Sequence, residues 1–440
     1  MRFVHKKEMQ EGIPVLSCGG MQEDRESLRE SINRLGYALN GDCQFDVDAF
    51  AEKLFGGPAG EAAGFFVECL LQGAYRFGKE ALRECGGGNV YALRDRLAAV
   101  PDVTVCLISA EEIGEGIRKR EALGRCRNYA RMLGDLPSNY LTADDFCLYA
   151  EQLAGANALL SLEIFRDEDL ARMGSGGILG VNQASETPAA LLHLRYEGRK
   201  KGPVTALVGK GVMFDSGGIH LKSMGDMEGM KYDMCGAADV LCLLEYAAES
   251  ACDFPVEGVI PLAENAVGAK SLRMGDVITM LSGRTVEVYN TDAEGRLLLG
   301  DGLFFAAERG DRLIDLGTLT CSCREALGDE TTGFFCNEEG LAGTVEKAGA
   351  GSGEPVWRLP LGQRYRRQLF WSKTADMANY MPDKKAGASV AACFLEEFTK
   401  GKPWAHFDMV GPAVSRKANG RLEAGATGTM FATVARLLES

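Results

Sequence analysis

Histidine is scarce in this chain. Four occur in 440 residues, His5, His193, His220 and His406, and no two share the H-E-x-x-H spacing that places a mononuclear zinc site on one helix. Each reads more simply as a structural hydrogen-bonder. An excess of positive charge is also lacking: 48 Lys and Arg face 62 Asp and Glu, a net charge of -14. The field of such a chain repels phosphate, so nucleic acid and anionic membrane surfaces are not expected as partners and small substrates are. No run approaches the roughly 20 apolar residues that span a bilayer. The apolar stretch after the basic start, 14–18, is too short for a signal peptide. Paired cysteine motifs are missing as well. The 14 cysteines are scattered, many in apolar runs, and the one tight pair, Cys321 and Cys323, has no second pair to complete a zinc site. Reduced thiols in a cytoplasmic protein are expected.

What is present is an ordinary globular composition, 46% hydrophobic and 25% charged, in a chain longer than one core usually holds. Two domains are expected. Residues 50–97 read as helical, with glycine breaks at 56–57 and 86–88, and 103–108 as a buried strand. A long charged helix over 111–133, weakened by Gly114, Gly116 and Gly124, would join a smaller domain of residues 1–118 to the rest, 119–440. Beyond it strands at 203–208, 256–262 and 312–316 alternate with helices at 237–248 and 296–308, and 277–281 and 285–289 form a hairpin. Such alternation predicts an α/β fold, a mainly parallel sheet flanked by helices, with ligands at the carboxyl ends of its strands. The smaller domain is expected to be α/β too.

Three glycine-studded segments fall at those ends. VGKGVMFDSGG (208–218) carries Lys210 and Asp215. It is not a phosphate-binding loop, since that pattern needs Gly at 204 and Ser or Thr at 211, where this chain has Val204 and Gly211. MKYDMCGAAD (230–239) carries Asp233, which alternatively is only the N-cap of the helix that follows. NTDAEGRL (290–297) carries Asp292, Glu294 and Arg296 two residues apart; in an extended segment they point to one side. Carboxylates converging on one side repel unless protonated or bridged by a cation. Their oxygens suit zinc or manganese, with magnesium a third candidate.

These segments closely resemble the leucyl aminopeptidase, or cytosol aminopeptidase, family. NTDAEGRL matches its signature, and VGKGVMFDSGG, the following LK and MKYDM match its other metal-binding segments in order and spacing. RNYARMLGDLPSNYLT (127–142), DLGTLT (315–320), WRLPL (357–361), WAHFDMVG (404–411) and GATG (425–428) look like further landmarks. The resemblance runs from about residue 120 to the end and is weak before 118.

The resemblance implies two divalent metal ions bridged by Asp215 and Glu294, one also held by Lys210 and Asp233, the other by Asp292. A lysine ligand must be neutral, which two nearby cations favour; the plainer reading of Lys210 is a salt bridge to Asp215. Lys222 matches the catalytic lysine, against the alternative of a surface lysine. Arg296 matches the arginine that holds a bicarbonate ion as general base, against a simple pairing with Glu294. The implied activity is hydrolysis of the N-terminal residue, leucine-like preferred, of peptide substrates, by a homohexamer. Met230, Cys321, Val410 and Ala413 are candidates for the pocket that receives the first side chain. Cys235 and Cys321 depart from the family, which usually has glycine there. A non-catalytic regulatory or DNA-binding member is the alternative, and the acidic charge speaks against it.

Overall fold

The computed structural model describes residues 1–17, 24–85, 89–383 and 385–439. The sheet that organises the chain has nine strands. In spatial order they are Val356–Arg358, Thr332–Cys336, Trp404–Asp408, Arg312–Gly317, Thr205–Gly209, Val256–Asn265, Ala190–Tyr196 and Leu160–Arg166, with Gly211–Asp215 also paired to Val256–Asn265. The centre is parallel: Trp404–Asp408, Arg312–Gly317, Thr205–Gly209 and Val256–Asn265 run the same way. Antiparallel pairs flank it on both sides.

Side-chain alternation along the central strands decides the layering. Leu207, Ile314, Leu316, Ala405 and Phe407 enter one hydrophobic core, beneath Cys235–Glu249 and Phe431–Leu438. Ala206, Val208, Leu313 and Trp404 enter the other, beneath Gly295–Ala307 and Gly387–Glu396. Strands apolar on both faces are what a sheet covered twice requires.

The first part of the chain has its own sheet and its own core. Arg2–Lys6, Thr104–Ile108 and Cys43–Asp46 pair in parallel, against a cluster built on Phe45, Phe50, Phe65 and Phe66. The helical text of 50–97 resolves into the helix Ala59–Ala74 and shorter pieces, among them Val90–Leu97, with Arg76–Phe77 after the first helix pairing with Ala98–Ala99 after the second. The expected glycine break at 86–88 lies outside the described residues.

The connecting helix is Gly114–Asp135. Its start, at Ile117, belongs to the first core, and from Ala122 onward it belongs to the larger one. Two of its glycines, Gly116 and Gly124, let it approach Ala59–Ala74. A Cβ on Gly116 would stand 2.2 Å from the Gly60 carbonyl oxygen, so the missing side chain permits backbone contact between the helices. Gly to Ala inside a helix ordinarily stabilises by about 1 kcal/mol. Here the clash reverses the sign, and Gly116→Ala is expected to lower stability by about 1–3 kcal/mol, the usual cost of overpacking. A fall in the denaturant midpoint is the expected outcome; a rise would show that the helices are not in this contact.

Candidate active site

Lys210 leaves the end of Thr205–Gly209, Asp215 ends Gly211–Asp215, and Thr318 follows Arg312–Gly317. All three lie at carboxyl ends of strands of the sheet, two of them neighbours in its parallel centre. Two positive-φ glycines turn the chain sharply after Asp215, at φ 85° for Gly217 and 64° for Gly218. That turn is tied to the next acidic segment through Thr291, whose hydroxyl donates to the Gly217 carbonyl at 2.7 Å and accepts from the His220 N–H at 2.9 Å.

Within this frame the charged groups interlock. The Lys210 ammonium donates to Asp233 Oδ1 at 2.7 Å and to the Thr318 carbonyl at 2.9 Å, and lies 3.2 Å from Glu294 Oε1. Thr318 Oγ1 donates to the same Asp233 oxygen at 2.7 Å. Lys222 pairs with Asp215 Oδ2 at 2.7 Å and with Asp292. Asp215 Oδ1 accepts from Asn265 Nδ2 at 2.8 Å and from the Gly217 N–H at 2.9 Å. Oxygens of Asp215, Asp292 and Glu294 all lie within 4.8 Å of one another. Gly295 makes room for the lysine, since a Cβ there would stand 2.2 Å from Lys210 Cε.

Several expectations are corrected by this arrangement. The salt bridge to Asp215 comes from Lys222 and not from Lys210. Lys222 is not a free surface lysine; its side chain is 12% exposed. Asp233 caps no helix N-terminus, because it ends the turn Met230–Tyr232 while Met234 precedes Cys235–Glu249. Asp292 and Glu294 are not on an extended strand end. Asp292 lies in a turn and Glu294 has helical backbone at the start of Gly295–Ala307, so they converge through the turn and not through strand periodicity. Arg296, already inside that helix, makes no ion pair among the described residues. Its Nη1 donates to the Asn379 carbonyl at 2.8 Å, its Nε has no partner, and it is 3% exposed.

The electrostatics record a shortage of positive charge. Burial pushes the Asp233 carboxyl up to about 8, and burial together with Asp215 and Glu294 pushes Asp292 up to about 6. Burial opposes the charges on Lys210 and Lys222, but the surrounding carboxylates outweigh it and hold both amines above their ordinary values. Burial also opposes the charge on Glu294, yet the two lysines hold it low. Asp233 Oδ2 and Glu294 Oε2 are buried with no hydrogen-bond partner among the described residues, a cost of about 1–3 kcal/mol or more for each such group. A second acidic group, Cys126 with Glu245 and Glu249, also leaves Glu245 Oε2 without a hydrogen-bond partner among the described residues but differs in charge balance, since Arg94 and Arg125 pair one to one with its two glutamates. A cavity of about 380 Å³ lies elsewhere, between Arg25–Ala38 and the segment 412–429, and Arg421 there pairs with Glu30 and Glu330. The candidate centre is therefore the four carboxylates that outnumber their two lysines, and not the roomier cavity.

Of the pocket candidates, Met230 is half-buried at the start of its turn, and Val410 is half-buried against the second core. Cys321 is exposed at the first position of Cys321–Leu327. It lies close enough to feel Lys222 and Asp292, although burial is what chiefly raises its thiol. Ala413, 2% exposed, is part of the larger core. None of the four histidines joins a metal-competent group among the described residues. His220 bonds Thr291, and His406 bonds Asp315 at 2.6 Å.

Residues 128–435 match the catalytic domain of the cytosol aminopeptidase family. The chain belongs to that family. It is 42% identical over 422 residues to a probable cytosol aminopeptidase of Chlorobaculum tepidum, covering 93% of this chain and 82% of the relative. To that of Bacillus subtilis it is 41% identical over 331 residues, 75% and 66% of the two. Among solved structures, the bottromycin maturation enzyme BotP in complex with Mn superposes with a TM-score of 0.82 at 32% identity, covering 94% of this chain and 87% of BotP. The cytosol aminopeptidase of Coxiella burnetii gives 0.80 at 30% identity, over 94% and 84%. This family member is accordingly a metal-dependent aminopeptidase, a hydrolase acting on peptides. No single helix among its described residues is long and apolar enough to cross a membrane.

The sequence did not single out Thr318, Asp408 or Asn379. Asp408 accepts from the Leu319 and Thr320 N–H groups and, at 2.6 Å, from Thr320 Oγ1, so it holds the loop that carries Thr318. Only the landmark segments DLGTLT and WAHFDMVG pointed toward two of them. Removing one partner of a buried ion pair costs about 3–5 kcal/mol. Lys222→Met is therefore expected to lower the unfolding midpoint of chelator-treated protein; an unchanged midpoint would show that Lys222 does not offset Asp215 and Asp292.

Proposed function

We propose that this aminopeptidase removes the N-terminal residue of peptides, leucine-like ones preferred, using two divalent metal ions held by Lys210, Asp215, Asp233, Asp292 and Glu294. The observation that carries the reading is the pair of unpartnered buried oxygens, Asp233 Oδ2 and Glu294 Oε2, beside three carboxylates within 4.8 Å. A donor set of carboxylates and one amine fits zinc or manganese, with magnesium a third candidate. When bound, such a pair lowers the pKa of water and polarises the scissile carbonyl.

The remaining chemistry belongs to the chain. Lys222, held charged by its acidic neighbours, faces the charge that develops on the carbonyl oxygen. Arg296 is buried, its charge disfavoured by desolvation to the point that its pKa falls to about 10, with Nε unpartnered. That is the environment of a guanidinium waiting for an anion, and we assign it bicarbonate, which supplies the general base. Asp233 receives the free amine of the substrate, and an internal peptide has no such group, so the enzyme is an exopeptidase. Met230, Cys321, Val410 and Ala413 are our candidates for shaping the first side-chain pocket. An apolar pocket discriminates by about 1–3 kcal/mol per methylene.

We place the domain boundary near residue 118, where the connecting helix passes from one core to the other. We further propose a cytoplasmic homohexamer. The exposed apolar side chains Ile219, Leu221 and Met224, the last 92% exposed, support assembly.

Hydrolysis of leucine amides tests this directly. Activity should vanish on chelation and return with manganese or zinc. Glu294→Gln should abolish it, and Lys222→Ala should lower kcat by about 10²–10³, as loss of one oxyanion-stabilising group does; unchanged rates in folded variants would contradict the roles. Metal uptake should also release protons. Lys210 must give up its proton to become a ligand, and Asp233, raised to about 8, holds one at pH 7. Calorimetry in buffers of different ionisation enthalpy is expected to report at least one proton released per chain at pH 7; none released would mean that Lys210 and Asp233 stay out of the coordination.

A further inference from the structure

Asn379 lies just past the short strand Met377–Ala378, some ninety residues from the acidic turn, and is fully buried. Its side-chain oxygen accepts from the Tyr289 N–H at 2.8 Å and the Asn290 N–H at 3.2 Å. Its side-chain nitrogen donates to the Asn290 carbonyl at 2.7 Å and the Ala293 carbonyl at 3.2 Å. Both amide hydrogens and both oxygen lone pairs are thus used. The partners also fix the orientation, because a flipped amide would set donor against donor and acceptor against acceptor. The backbone of the same residue is engaged in the same region: its N–H donates to the Glu287 carbonyl at 3.0 Å, and its carbonyl accepts from Arg296 Nη1 at 2.8 Å. One residue therefore grips the turn 289–293 at both ends, with Asp292 inside it and Glu294 next to it, while also holding the arginine that follows.

We propose that Asn379 is a positioning residue for the dinuclear centre. Its carboxamide fixes the turn so that Asp292 and Glu294 present their oxygens to the cations, and its carbonyl sets Arg296 at a fixed place relative to those carboxylates. The proposal rests on the metal reading above. No residue of similar size replaces the function: an aspartate keeps the shape but is acceptor-only when ionised, and so faces the Asn290 and Ala293 carbonyls with like polarity.

The test titrates Mn2+ into the full chelator-treated chain by calorimetry, for wild type, Asn379→Asp and the smaller Asn379→Ser. It is paired with far-UV circular dichroism of the metal-free proteins and with kcat and KM for a leucine anilide at saturating Mn2+. Wild type should take up two ions. Asn379→Asp should fold, weaken at least one Mn2+ step tenfold or more, and lower kcat at least tenfold with KM changed less than twofold; Asn379→Ser should fall between. Unchanged Mn2+ affinity in a folded variant overturns the proposal, whatever happens to kcat. Failure of both variants to fold without metal overturns it too, since Asn379 would then be a determinant of the fold. A wild-type chain that takes up no Mn2+ is distinguishable from either, because it removes the metal reading itself and the proposal with it.

Discussion

The structure turns on a charge imbalance in a largely buried cluster. Among the described residues, Asp215, Asp233, Asp292 and Glu294 cluster with two amines, Lys210 and Lys222, and Arg296 points its hydrogen bond elsewhere. With oxygens of Asp215, Asp292 and Glu294 no more than 4.8 Å apart, each charged pair among these three costs about 3 kcal/mol at an effective dielectric near 20. Protonation relieves part of this; burial first, then Glu294 and Asp215, carry Asp233 to about 8 against the pull of Lys210. On our proposal divalent cations would relieve it without protons and would also engage Asp233 Oδ2 and Glu294 Oε2, which lack hydrogen-bond partners among the described residues.

A fold that keeps such a pocket must resist its repulsion. Neighbouring parallel strands deliver Lys210 and Thr318 from positions 108 residues apart, and the backbone of Arg312–Gly317 pairs directly with that of Thr205–Gly209. Asp408 holds the Leu319–Thr320 backbone from the next strand over. The glycines at 217, 218 and 295 are where the chain turns sharply or lets Lys210 pass. The two hydrophobic cores on either side of the sheet supply the rigidity on which these hydrogen bonds depend. The same contacts hold the proposed ligands in place ahead of substrate, as a preorganised site requires.

Much of the framework was legible because it is local. The apolar runs of Thr205–Gly209, Arg312–Gly317 and Cys235–Glu249 show their periods within a single window, and the hairpin of Val277–Thr279 with Thr285–Glu287 shows its Ser-Gly turn. Arg2–Lys6 and Cys43–Asp46 escaped, since each is short and the first has no fully buried residue to mark it. The carboxylates were legible as residues but not as geometry. Strand alternation suggested how Asp292 and Glu294 meet, whereas a turn into a helix brings them together. Asp233 looked like a helix cap because Cys235–Glu249 follows it, and only the tertiary contact with Lys210 and Thr318 reveals otherwise. Asn379 carries no local pattern at all; its side-chain and carbonyl partners are 83–90 positions away.

Anomalous diffraction from crystals of the chain grown with Mn2+ tests the central claim most directly. Two peaks per chain, about 3.5–4 Å apart as in other two-metal sites and lying between Asp215 and Glu294, are the predicted result. A single peak, or peaks away from those two carboxylates, would contradict it.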